Sequence, residues 1–289
     1  MHNPNVPETL HGWSILHRLY TFDRRGWAAL APERQSAIQS ETLRALGQLE
    51  GGERHDLALC QVLGGKGDLM FIHYARDFEA LAEAEMIFSG LELNDYLQPR
   101  DSYVSVLEVG RHRATARIHE ELHDRGLEAN SAEWIGAFDQ ALAEEEATVS
   151  ARLWAQIPRR RFWCFYPMSK KRDDTWNWYA LPFEERCRLM AAHGAGAKAY
   201  HGLATQVISS STGFDDWEWG VDLFSDDPIV LKKLIYELRF DEVSSHYAEF
   251  GSFMTGLRFS PAQLPEFLSG RAVPRLLEVK EPELAAAAR

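Results

Sequence analysis

The spacing of apolar residues changes several times along the chain, and each change marks an element. Residues 13–22 are crowded with Trp13, Ile15, Tyr20, Thr21 and Phe22, aromatic and β-branched side chains that predict a strand. From 23 to 48 the apolar positions thin out to Trp27, Leu30, Ile38, Leu43 and Leu46 among helix formers. That spacing predicts a helix, broken near Pro32 because proline lacks a backbone donor. Two short apolar runs, 57–63 and 68–74, are separated by Gly64, Gly65 and Gly67, as strands joined by a turn would be. Asp77 stands as an N-cap before Phe78, Leu81, Glu85 and Phe88, whose spacing puts the apolar side chains on one helix face. A strand over 102–109 completes the order βαββαβ.

The second half repeats this order at an offset near 150 residues. Trp13 falls on Trp163, Asp77 on Asp227, Leu81 on Leu231 and Tyr103 on Phe253. The second copy is predicted as a strand over 161–166, a helix over 183–193, strands over 205–211 and 217–224, a helix over 228–239 and a strand over 250–259. Asp227-Pro228 supplies a cap with proline at the first helical position, and Leu231, Leu234, Ile235 and Leu238 a core-facing stripe. Between the copies the chain is polar, and Ser131 followed by Trp134, Phe138, Leu142, Val149 and Leu153 predicts one long connecting helix. Residues 1–10 and the chain beyond Pro261 are expected to be loosely structured, since 278–289 offers little to bury.

A βαββαβ unit folds as a ferredoxin-like sheet with helices on one face, and its other face needs a cover. Two copies in one chain can cover each other. The predicted class is therefore α+β, two ferredoxin-like repeats closed face to face or edge to edge into a dimeric α+β barrel within one chain. The division expected is an N-terminal ferredoxin-like domain over 1–110, a helical connector over 111–160, a C-terminal ferredoxin-like domain over 161–260 and a tail over 261–289. A large flat ligand would fit between sheet and helices.

Charge and cysteine content narrow the function. With 31 basic against 43 acidic residues the net charge is −12, which leaves no broad positive field for nucleic acid or anionic lipid. Cys60, Cys164 and Cys187 are odd in number, far apart and without CxxC spacing, against both a disulfide framework and a zinc site. A reducing cytoplasm is the expected compartment. Residues 1–12 have no apolar signal core, and no window approaches the roughly 20 apolar residues of a membrane span.

Candidate chemistry concentrates in the second copy. His193 follows Leu189 by four residues and Met190 by three, so it shares their helix face and is expected to be buried. On burial grounds alone such a histidine is more often a hydrogen-bonded core residue than a metal ligand. Its counterpart at the 150 offset is Leu43, however, so the fold itself asks only for an apolar residue there. No second histidine or carboxylate stands at metal-cluster spacing, and the metal commonly held by one imidazole is a haem-type iron. Tyr166 ends its strand where the first copy has Leu16; a half-buried tyrosine with a hydrated hydroxyl is the ordinary alternative. Arg152, Lys170, Lys171 and Arg172 gather cations that would usually be a solvated loop, but beside a porphyrin would meet its propionates. Ser244 and Gln206 carry no signal of their own. Trp176, Trp178, Tyr179, Trp217 and Trp219 read as core, and as radical sites if an oxidising iron is near.

Taken together, the motifs Tyr166-Pro167-Met168-Ser169-Lys170-Lys171-Arg172, His193-Gly194, Gly213-Phe214-Asp215-Asp216-Trp217-Glu218-Trp219-Gly220 and Arg239-Phe240-Asp241-Glu242 resemble the chlorite-dismutase-like haem proteins, and within them the coproheme decarboxylase branch. The close resemblance covers roughly residues 152–259. It implies His193 as the proximal iron ligand and Tyr166 as the tyrosine that becomes a radical. It also implies Arg152, Lys170 and Ser244 as propionate-binding residues, with Met168 and its neighbour Ser169 in the substrate pocket. Gln206 falls where chlorite dismutases carry a distal arginine, which argues against chlorite chemistry. No clear equivalent of the carboxylate that orients the proximal histidine stands out, and Glu242 is the candidate.

The reaction so implied uses hydrogen peroxide and iron-coproporphyrin III (coproheme), substrate and redox cofactor at once. Tyr166, oxidised to a radical, takes hydrogen from a propionate β-carbon; loss of carbon dioxide leaves a vinyl group. Two rounds, through a monovinyl intermediate, give haem b. The resemblance further implies a homopentamer and a transient contact with coproporphyrin ferrochelatase. The competing readings are a chlorite dismutase or peroxidase of the same fold, and a haem carrier or sensor without chemistry.

Overall fold

The structure, a computed structural model, describes residue 3 and residues 6–278. The first repeat contains β1 (Thr9–Phe22), α1 (Arg24–Ala28), α2 (Pro32–Leu49), β2 (His55–Val62), β3 (Leu69–Ala75), α3 (Phe78–Ser89) and β4 (Leu97–Gly110). Then come α4 (His112–Asp124) and α5 (Ala132–Leu153). The second repeat contains β5 (Phe162–Lys170), α6 (Phe183–Lys198), β6 (Ala204–Ser210), β7 (Trp219–Ser225), α7 (Pro228–Leu238), α8 (Glu242–Tyr247), β8 (Ala248–Phe250) and β9 (Met254–Phe259). A last helix, α9 (Leu264–Ser269), follows.

Local chemistry sets the boundaries. The predicted break at Pro32 separates α1 from α2, and Pro32 opens the second of them. Asp77 and Asp227 both cap as expected, accepting from Ala80 N and Ile229 N at 2.8 Å each. Three expectations are corrected. The connector holds two helices rather than one, because Ala114, Ile118 and Leu122 give α4 an apolar stripe of its own, which packs on Trp134 and Phe138 of α5. The chain after Pro261 is not loose as far as it is described: Leu264, Phe267 and Leu268 of α9 are buried against α2 and the strands of the first repeat. The first strand starts at Thr9, inside the stretch expected to be a loose tail, and Leu10 is buried. Residues 279–289 of the expected tail, and residues 1, 2, 4 and 5, lie outside the described residues.

All the strands belong to one antiparallel sheet, β7-β6-β4-β1-β3-β2-β9-β5-β8, and β7 pairs with β5 as well. That pairing closes the sheet into a barrel. Each half keeps the ferredoxin-like order, β4-β1-β3-β2 in one and β9-β5-β7-β6 in the other. The halves meet edge to edge at two seams, β2 with β9 and β4 with β6. Closure pairs the edges of the two small sheets with each other, so each serves as the other's partner. Trp13, Ile15, Met70, Ile72, Tyr74, Trp163, Phe165 and Phe224 pack together on the inner face. The outer face of the first repeat is covered by α2, α3 and α9, that of the second by α7.

Sheet register refines the internal repeat. Ser14 lies opposite Ala75, and Phe162 opposite Ser225, so in space β5 is offset from β1 by 148 residues where β7 is offset from β3 by 150. Tyr166, opposite Val221, therefore corresponds to Arg18, opposite Phe71, and not to Leu16.

Candidate functional site

Strand alternation lays out one face of the second repeat. Gln206, Leu223, Cys164 and Thr255 form one cross-strand row; Ile208, Val221 and Tyr166 form the next; Ser210, Trp219, Met168 and Phe250 form the third. Three rows over four strands span about 14 Å each way at ordinary strand spacings. Tyr166, Met168 and Gln206 are thus brought to one surface. Ser169, one residue on, turns to the other side, where its Oγ accepts the Glu218 backbone N–H at 3.2 Å.

The helix bearing His193 is α6, which packs on α4, α7 and α8. His193 was expected to be buried; its side chain is 23% exposed, while Leu189 takes the buried position beside Trp178, Val243 and Tyr247. Its Nδ1 lies 3.0 Å from Asp241 Oδ2. Donation from Nδ1 to that carboxylate fixes the tautomer and leaves the Nε2 lone pair for a ligand.

Asp241 is the residue that the sequence reading missed. Its Oδ1 caps α8 by accepting from Val243 N at 2.9 Å and Ser244 N at 3.3 Å, which leaves Oδ2 for the imidazole. Burial alone would raise its pKa, but hydrogen bonds from Ser244 and His193 outweigh that and hold it below the usual carboxylate value. Glu242, the expected orienting carboxylate, instead meets Arg188 at 3.3 Å. An aspartate three residues before Ser244 does signal a helix cap. Its pairing with a histidine 48 residues earlier leaves no local trace.

Lys170 is buried, with Nζ 4.5 Å from the Trp178 ring centroid and its backbone N–H donating to Glu218 Oε2 at 2.8 Å. Burial lowers its pKa to about 8, against the opposing pull of Asp241 and Glu218. His112, at the start of α4, is pushed down to about 4 by burial, then by Arg186 and Lys170, so it adds no charge here near neutrality. Tyr166 is also buried; its ring stacks on Phe253 at 4.4 Å and 22°. Burial raises the phenol pKa, Cys164 adds to the rise, and Arg239 opposes it. Arg239 lies over Phe250 at 3.9 Å and is a second residue not singled out from sequence, although its motif was. Ser244 is buried in α8, next to the Asp241 cap. Arg152 is exposed in the last turn of α5.

The expected aromatic core divides in two. Trp176 stacks on His246 at 4.1 Å, and with Trp178 it packs around Tyr247; Tyr179 is 45% exposed; Trp217 turns into the barrel.

A duplicated ferredoxin-like barrel whose second repeat carries a carboxylate-oriented imidazole on a helix defines a narrow class. The chlorite dismutase family model matches residues 34–259, and the chain belongs to that family. A protein of Haloquadratum walsbyi named as heme-binding is 38% identical over 275 residues, 93% of this chain and 48% of that one. The chain thus spans about half the length of that relative. A coproheme decarboxylase of Staphylococcus saprophyticus is 37% identical over 256 residues, 88% of this chain and 94% of that enzyme. A solved structure described as a novel heme-binding protein from Thermus thermophilus superposes with a TM-score of 0.78 at 36% identity, covering 93% of this chain and all of that one.

Proposed function

We propose that the protein is a hydrogen-peroxide-dependent coproheme decarboxylase that converts two propionates of iron-coproporphyrin III to vinyls and releases haem b. What supports this reading is that the second repeat carries both His193, oriented by Asp241, and a sheet face that presents Tyr166, Met168 and Gln206. The donor set fits a haem-type iron: one imidazole with a carboxylate behind Nδ1, which orients Nε2 as the ligand atom. When bound, the iron supplies the reaction with peroxide. Each propionic acid group and one hydrogen peroxide become a vinyl group, carbon dioxide and two waters.

Tyr166 transmits the oxidising equivalent. Its raised pKa keeps the phenol protonated, so electron and proton leave together and the neutral radical can take a hydrogen atom from the β-carbon. Lys170, Arg239, Ser244 and Arg152 are assigned to the propionates; charge-assisted hydrogen bonds from them would hold the β-carbon beside the phenolic oxygen. The reading that Gln206 replaces a distal arginine argues against chlorite as substrate, since a neutral amide offers an oxyanion no fixed charge. The enzyme is assigned to the cytoplasm; among the described residues no helix is long and apolar enough to cross a membrane.

The test is mass spectrometry of the porphyrin after mixing with coproheme and peroxide, for parent and Tyr166→Phe. The parent should lose two carboxyl groups through a monovinyl species. The variant should bind coproheme and form no vinyl product. A porphyrin unchanged in the parent would leave a carrier; product from the variant at the parent's rate would remove Tyr166 from the mechanism.

A further inference from the structure

The inside of the barrel carries polar groups that the reaction on its outer face does not use. Along β5, Trp163 and Phe165 alternate with Tyr166 and so face inward. Behind them His17 Nε2 lies 3.1 and 2.9 Å from the two oxygens of Asp222, and Trp163 Nε1–H donates to Asp222 Oδ1 at 2.7 Å. All three side chains are buried. Donation from Nε2 to the carboxylate leaves Nδ1 of His17 as an acceptor, and that atom has no hydrogen-bond partner.

His17 forms part of the wall of a cavity of about 500 Å³, together with Tyr103, Phe165 and Trp217. This volume suits a small molecule. At its rim Asp101, Asp215 and Asp216 are exposed, and among the described residues no lysine or arginine lines it. The charge therefore selects a cation. A bare metal ion is disfavoured, because among the described residues no group of three or more histidines, cysteines or carboxylates could hold one. Aromatic walls under a carboxylate rim suit an organic ammonium group, which the ring faces attract and the carboxylates neutralise. The unpaired His17 acceptor matches an N–H donor.

We propose that the barrel interior is a second binding site, on the other side of β5 from Tyr166 and sharing Phe250 with the outer face, and that it takes a small aliphatic amine. Rim carboxylates hold the ammonium group, Tyr103, Phe165 and Trp217 enclose it, and His17 adds an acceptor. The site shares β5 with the outer face, so an occupant lies one sheet thickness from Tyr166.

Putrescine is the probe, titrated into the full-length protein by calorimetry and by tryptophan fluorescence, with butanediol as the neutral control. Saturable putrescine binding is expected, with no matching response to the diol. The double variant Asp215→Asn/Asp216→Asn, altered only at exposed positions, should bind about tenfold more weakly. Ser252→Trp, at an exposed lining position, should block entry without touching the buried His17–Asp222 pair. Thermal melts of both variants check the fold. The proposal fails if putrescine does not saturate, if the diol binds as well, or if both folded variants bind like the parent.

Discussion

Asp241 does two jobs with its two oxygens, and the geometry allows them to be separated. Asn can still cap α8 through its side-chain oxygen. It cannot offer the imidazole a charged acceptor. Asp241→Asn should therefore keep the fold, shift the absorption spectrum of bound coproheme, and weaken its binding by roughly 10- to 100-fold, the usual effect of losing an orienting partner. A spectrum and affinity equal to the parent's would show that the Asp241 contact does not tune His193. Lys170 gives a pH-dependent test. Its folded pKa of about 8 lies below the ordinary 10.5, so it is cationic below about pH 8 and neutral above. Affinity for the propionates should fall as pH rises through 8, a dependence that Lys170→Gln should lack. Stability should move the other way. Between about pH 8 and 10.5 the unfolded chain holds more protons than the folded one, so stability rises with pH across that window. Denaturant midpoints of parent minus Lys170→Met, compared across that range, check the sign.

At the scale of elements, the seams decide whether two sheets become one barrel. Gly256 in β9 crosses Val62 in β2, and a Cβ there would stand 2.2 Å from the Gln61 carbonyl oxygen, where the nearest atoms are all backbone of β2 rather than a flexible side chain. Gly256→Val should cost about 3 kcal/mol and lower Tm by roughly 6–12 °C. A melting curve like the parent's would mean the seam is looser than its register implies. The repeat itself was legible because Asp77 and Asp227 cap equivalent helices and the strands between carry dense apolar runs. The choice of edge-to-edge over face-to-face closure was not, since pairing of β2 with β9 joins residues nearly 200 apart and no local pattern encodes it. The helix α4 hid in a polar stretch because only one narrow stripe of it is buried. The offset of 150 placed Tyr166 on Leu16, yet register places it on Arg18, because two residues of slippage in β5 leave the apolar pattern unchanged. For the same reason Tyr166, Met168 and Gln206 could be named from motifs, while their common face became visible only once strand pairing was known.

At the scale of the whole molecule, several large apolar side chains stay on the outside. Ile229, Tyr236 and Phe240 are 54%, 59% and 73% exposed, and their spacing of seven and four residues aligns them along α7 and its end. A second pair, Phe78 and Phe214, meet edge to face at 5.1 Å while both remain exposed. Contiguous apolar stripes of this kind mark contact surfaces on otherwise soluble domains. The resemblance noted from the motifs implies five subunits, and the α7 stripe is a surface on which copies of the chain could meet. Light scattering of the purified protein should return a multiple of the 32.9 kDa chain mass, five being the expected number. Replacing Tyr236 and Phe240 together by glutamate puts two charges into such a contact, where they would be desolvated without partners, and should shift the mass toward that of one chain. The substitutions touch no residue assigned to coproheme, so the dissociated variant should still bind it. A parent that scatters as a single chain would remove the assembly and leave the stripe without a role; an unchanged oligomer in the variant would move the interface to another face.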